Sequence, residues 1–111
     1  MSTRSPITTH VLDVAKGRPA AGVAVRLERV RDGAAVPLAR GVTDDDGRVA
    51  TLLAPDHALE AGVYRLVFDV GAYQEGFYPS VSIDFRVEAT REHYHVPLLL
   101  SPYGYSTYRG S

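Results

Sequence analysis

The chain has 111 residues, 45% of them hydrophobic and 23% charged, and a formal net charge of −1. That near-neutral balance gives no electrostatic footprint for nucleic acid or an anionic membrane surface. The length suits one domain, residues 1–111, around one modest core, and the lack of any cysteine excludes disulfides, thiolate nucleophiles and cysteine-ligated zinc together.

Residues 1–6 carry one arginine and no apolar run, so the start does not read as a secretory leader. The apolar runs are too short to span a bilayer, and the expectation is a small cytoplasmic protein. Residues 7–14 (ITTHVLDV) are rich in β-formers and end at the turn cluster Lys16-Gly17-Arg18-Pro19. In residues 23–30, Val23, Val25, Leu27 and Arg29 alternate with Ala24, Arg26, Glu28 and Val30, the period of a strand with one buried face. Asp32-Gly33 signals a turn, and residues 36–42 read as a third strand in which Pro37 fits only an edge or a strand start. Thr43-Asp44-Asp45-Asp46-Gly47 is a tight acidic turn, with a fourth strand expected over residues 48–52.

Residues 54–61 have room for one loose helical turn. Residues 62–70 (GVYRLVFDV) are a strong strand, and the segment between Gly71 and Gly76 is the best place for a short helix. Residues 81–87 (VSIDFRV) alternate cleanly. Residues 93–100 and 103–108, joined at Ser101-Pro102, complete eight short strands. Turns every 8–12 residues and no lasting helical period argue an all-β sandwich. A parallel α/β sheet has no source of crossover helices.

The end of the chain is the densest in chemistry: two histidines, four tyrosines and an arginine fall within residues 93–111. His93 and His95 are two apart on a strand and share a face. Two ligands do not make a metal site; the plain alternative is that one caps the strand and the other is a satisfied face residue. His10, mid-strand, suits a half-buried imidazole with a hydrogen-bond partner, and His57 beside Pro55 suits solvent. Asp44, Asp45 and Asp46 lack the frame of a calcium loop and read as turn formers. Arg48 suits a weak surface ion pair with those aspartates.

Three separated segments carry a resemblance. They are Thr9-His10-Val11-Leu12-Asp13 with Gly17-Arg18-Pro19-Ala20, then Thr43-Asp44-Asp45-Asp46-Gly47-Arg48, then Tyr94-His95-Val96-Pro97-Leu98-Leu99-Leu100-Ser101-Pro102 with the closing Tyr108-Arg109-Gly110-Ser111. Together they resemble the transthyretin-related 5-hydroxyisourate hydrolases, from Pro6 onward. The closing tetrapeptide is the most discriminating motif, because hormone-carrying transthyretins lack it.

The resemblance implies a transthyretin-like β-sandwich of about eight strands with one short helix, assembled as a homotetramer with sites at a subunit interface. It implies hydrolytic ring opening of 5-hydroxyisourate in urate catabolism, with no metal and no organic cofactor. The family's polar site falls on His10, Arg48, His95 and Ser111, with His10, Arg48 and Tyr108 holding substrate. These residue types fit the chemistry. An imidazole takes a proton from water near neutrality. A guanidinium offers fixed charge and forked donors to an oxyanion. A tyrosine covers a ring face, and Ser111 with the terminal carboxylate can orient water or a histidine. The sequence leaves open which histidine is the base. The competing readings are a non-catalytic transthyretin-type carrier of a small aromatic ligand and, more remotely, an immunoglobulin-like interaction domain, whose usual core tryptophan is missing.

Overall fold

Side-chain alternation sets the architecture, because a strand with every second residue apolar must bury one face. In a computed structural model, which describes residues 4–49 and 51–111, eight strands form. They are β1 (Ile7–Asp13), β2 (Arg18–Pro19), β3 (Ala24–Arg31), β4 (Ala34–Val42), β5 (Gly62–Asp69), β6 (Val81–Val87), β7 (Tyr94–Ser101) and β8 (Gly104–Thr107). One sheet has the order β2-β1-β7-β8 and the other β4-β3-β5-β6. β1 and β7 run parallel, while every other named pair is antiparallel. Ile7, Val11, Leu98 and Leu100 of the first sheet meet Leu27, Leu66 and Phe68 of the second in a common buried core.

Three local expectations change. The strand expected over residues 48–52 is reduced to a single bridge between Arg48 and His10, with Ala50 outside the described residues. The free edge of β1 is already shared: Leu12 and Asp13 pair with Pro19 and Arg18, and Val11 donates to Gly47 O at 2.8 Å. By the same pairing, Arg18 and Pro19 form β2 rather than only a turn. The helix expected between Gly71 and Gly76 is a turn, in which Tyr73 and Gln74 both donate to Val70 O and nothing propagates. Helix nucleation is unfavourable, and here Tyr73 and Gln74 spend their side chains elsewhere: Tyr73 on Asp13, Gln74 on Ser101 O. Pro37 does lie on the edge strand β4, where the register shifts opposite Leu27 and Glu28, so its missing N–H costs little. Among the described residues there is no helix long and apolar enough to cross a membrane.

At the end of the first sheet remote from His95, Asp13 is only 2% exposed. Burial alone would raise its pKa, but the Tyr73 hydroxyl at 2.7 Å, the Lys16 backbone N–H at 2.9 Å and the Lys16 charge outweigh it and hold the carboxyl below its ordinary value. A carboxylate depressed in the folded state contributes stability above its unfolded pKa that is lost as pH falls through the folded one. Replacing Tyr73 by Phe removes one donor from a buried charge. Urea unfolding at pH 7 should therefore show a loss of about 1–3 kcal/mol, and the gap to the parent protein should narrow below about pH 4. Equal stability at pH 7 would show that Tyr73 does not anchor this loop.

Candidate active site

The buried residues of β1 are Ile7, Thr9, Val11 and Asp13, which turns Thr8, His10 and Leu12 to the outer face of the sheet. In β7 the same alternation turns His95 outward between buried Tyr94 and Val96. The parallel register sets Thr8 opposite His95. Two short bridges add the remaining groups, Arg48 opposite His10 and Gly110 opposite His95.

The acidic turn delivers Arg48. Asp44 Oδ1 accepts from the backbone N–H of Asp46 at 2.9 Å and of Arg48 at 3.1 Å, and Gly47 N–H donates to Asp44 O at 2.9 Å. Gly47 has φ +76°, and a Cβ there would collide with Val11 O, so the turn accepts only glycine. Among the described residues, none of the three aspartates pairs with Arg48. The expected surface ion pair is absent, and the Arg48 side chain faces the site.

The tail closes the other side. Beyond β8 the chain keeps the same antiparallel register along β7, so that Gly110 N–H donates to His95 O at 2.8 Å. A Cβ on Gly110 would lie 2.5 Å from His95 Cδ2, so only glycine lets the tail lie against the imidazole. Arg109 secures it from the side, with its guanidinium 4.6 Å from the Tyr94 ring centroid and 3.2 Å from Glu92.

Between these segments lies a hollow of about 420 Å³ bordered by Arg4, Thr8, Arg48, His93, His95 and Ser111, within the range of small-ligand sites. Thr8 Oγ1 sits 2.9 Å from His93 Nε2 and 2.8 Å from His95 Nδ1. Burial, then the charge of Arg48, then His10, His93 and Arg4 hold the His95 imidazole below its ordinary pKa. Burial and Arg4 likewise lower His93, with a backbone hydrogen bond at Ser5 acting the other way. Both rings are therefore neutral near pH 7, the form in which an imidazole accepts a proton.

Of the expected site residues, Arg48, His95 and Ser111 border one hollow. His10 adjoins it through the Arg48 bridge, but its ring turns aside: Nε2 is 2.7 Å from Asp46 O, and a carbonyl only accepts, so this nitrogen carries a hydrogen. Tyr108 lies apart, 57% exposed, against a separate hollow bordered by Phe85, Tyr94 and Arg109. His57 is exposed. Thr8 and His93 join the polar cluster without having been singled out together. The signal for Thr8 was its two-residue spacing from His10, and for His93 its two-residue spacing from His95. Among the described residues, no group of three or more histidine and carboxylate side chains is arranged to hold a metal ion. A neutral imidazole beside a guanidinium in a small open hollow suits acyl transfer to water.

Comparison with known proteins shows the family. The model of the HIUase/Transthyretin family matches residues 7–110. The chain is 47% identical over 110 residues to the 5-hydroxyisourate hydrolase of Salmonella dublin, covering 95% of this chain and 80% of that one. The solved structure of Klebsiella pneumoniae 5-hydroxyisourate hydrolase superposes with a TM-score of 0.80 at 40% identity, covering 95% of this chain and 98% of its own. The transthyretin of Sparus aurata superposes with a TM-score of 0.87 at 34% identity, covering 96% and 97%. With a family match over nearly the whole chain and the closing Tyr-Arg-Gly-Ser folded against His95, this protein belongs to the HIUase/transthyretin family.

Proposed function

We propose that this protein hydrolyses 5-hydroxyisourate to 2-oxo-4-hydroxy-4-carboxy-5-ureidoimidazoline, a step in urate catabolism. The observation that carries the reading is the meeting of His95, Arg48 and Ser111 at one hollow. Water adds to the ring acyl carbon as an imidazole takes its proton. The tetrahedral oxyanion forms against the Arg48 guanidinium, whose charge is permanent. Collapse breaks the acyl carbon–nitrogen bond, the imidazolium returns its proton to the leaving nitrogen, and a carboxylate product remains. Ser111 and the terminal carboxylate orient the water. His10, held through Asp46 O, supports Arg48 and contacts the substrate.

The whole chain acts as one cytoplasmic domain within a homotetramer. Tyr108 is separated from the hollow within one chain. It therefore serves as a substrate contact only where assembly places it over a neighbouring site. The exposed edges of β6 and β8 favour such an assembly, since unpaired edges call for cover.

Freshly generated 5-hydroxyisourate, followed by ultraviolet absorbance, should decay faster with the protein present. Replacing His95 by Asn should cut the catalysed rate by about 10²–10⁴. Decay at the spontaneous rate would favour a non-catalytic binder of the transthyretin kind, and a loss below tenfold would remove His95 from the chemistry.

The pH dependence has a definite sign. Protonation removes the base, so kcat/KM falls as pH drops through the folded pKa of His95, and burial and Arg48 set that pKa below the ordinary value. The acid limb should therefore have its midpoint below about pH 6.5. In Arg48→Gln the residual activity should show that limb at higher pH. A parent limb above pH 7 would contradict the assignment.

A further inference from the structure

We infer that the Thr8 hydroxyl, oriented by His93, is a positioning residue that locks His95 as its Nδ1–H tautomer and leaves Nε2 as the lone pair that accepts the proton from water. This rests on the hydrolase reading above, with His95 as its base.

A hydroxyl has one hydrogen to give and two lone pairs to offer. Thr8 Oγ1 lies between two imidazole nitrogens, His93 Nε2 at 2.9 Å and His95 Nδ1 at 2.8 Å. It uses both contacts fully only by donating to one ring and accepting from the other. The direction follows from the role of His95. Its Nδ1 is taken up by Thr8, so only Nε2 is left to take a proton from water, and Nε2 is bare only when Nδ1 brings the hydrogen. Thr8 Oγ1 then accepts from His95 Nδ1 and donates to His93 Nε2, which meets it as a lone pair. His95 is thereby fixed as the Nδ1–H form, because the bond made by one ring nitrogen decides the state of the other.

His10 contrasts with this. Its Nε2 hydrogen is spent on Asp46 O at 2.7 Å, so that nitrogen has no lone pair to offer water while the bond lasts. The two imidazoles nearest Arg48 are thus held in opposite tautomers by different partners, one from β1 and its neighbouring strand, the other from the acidic turn. Reversing the Thr8 hydroxyl would put the hydrogen of His95 on Nε2 and convert a base into a donor. The lock costs no extra charge in the hollow, which suits a site already lined by Arg4 and Arg48.

Long-range proton–nitrogen correlation spectra of the full-length protein, labelled with ¹⁵N-histidine and recorded at pH 7.5, read tautomers directly. The expected result is a proton-bearing Nδ1 and a bare Nε2 on His95. Thr8→Val should shift the proton towards Nε2 and lower kcat about 10²-fold, with KM changed less than about threefold. Thr8→Ser and His93→Gln should keep the parent tautomer, since each restores the required donor or acceptor. A hydrogen on His95 Nε2 in the parent protein would overturn the inference, and so would an unchanged tautomer in Thr8→Val. If Thr8→Val does not fold, the parent spectrum alone decides. An Nδ1–H tautomer in a protein that fails to accelerate decay of 5-hydroxyisourate would sink the hydrolase reading and leave the lock standing. An Nε2–H tautomer in an active enzyme would sink only the lock.

Discussion

The parallel pairing of β1 with β7 is the constraint on which the rest depends. It runs in unbroken register from Ile7 opposite Tyr94 to Asp13 opposite Leu100, joining two segments that lie at opposite ends of the sequence. Such a long-range pairing has a large closure entropy, and its stabilisation comes from the face it buries. Ile7, Val11, Leu98 and Leu100 are fully buried and contribute on the order of 1.5–3 kcal/mol each. A slip of one residue would turn that apolar set outward. The polar face has no such leverage. Thr8, His10 and His95 are where they are because their neighbours in sequence are needed in the core.

The second element is the free edge of β1, which no long strand occupies. β2 takes Leu12 and Asp13, the acidic turn takes Val11 and His10, and these short contacts leave Arg48 exposed over the sheet. A regular fourth strand at this edge would have pointed alternate side chains along a flat ladder. The turn, held by Asp44 Oδ1, brings one cation to the margin of the hollow, which Asp44 also borders, without pairing that cation with a carboxylate. That arrangement matters electrostatically: a carboxylate on Arg48 would cancel the charge that keeps His95 neutral. On the opposite margin, Gly110 permits a backbone approach that any side chain would block.

Much of this was legible in the sequence. The alternation in residues 62–70 and 81–87 marked β5 and β6 almost to the residue, and Pro37 marked an edge. The pairing of β1 with β7 was not legible, because nothing in either segment alone identifies its distant neighbour. The lost strand after Arg48 and the missing helix between Gly71 and Gly76 have the same origin. In both, tertiary partners (β1 for the former, Asp13 and Ser101 for the latter) take groups that a local pattern would use itself. His10, Arg48, His95 and Ser111 came from resemblance rather than from spacing. The bridging role of Thr8 appears only once two strands are side by side, and Tyr108 shows that sequence proximity to Ser111 does not guarantee a place at the same hollow.

Three distant segments, β1, the acidic turn and the tail, border a single hollow on the β1–β7 pair, and the tail is its last wall. Deleting Arg109, Gly110 and Ser111 tests it most directly, because none of the three is part of the buried core. Turnover of 5-hydroxyisourate should be lost while the midpoint of thermal unfolding stays within a few degrees of the parent, the shift about 1 kcal/mol would give. A truncated protein that folds normally and turns over substrate at the parent rate would contradict the account.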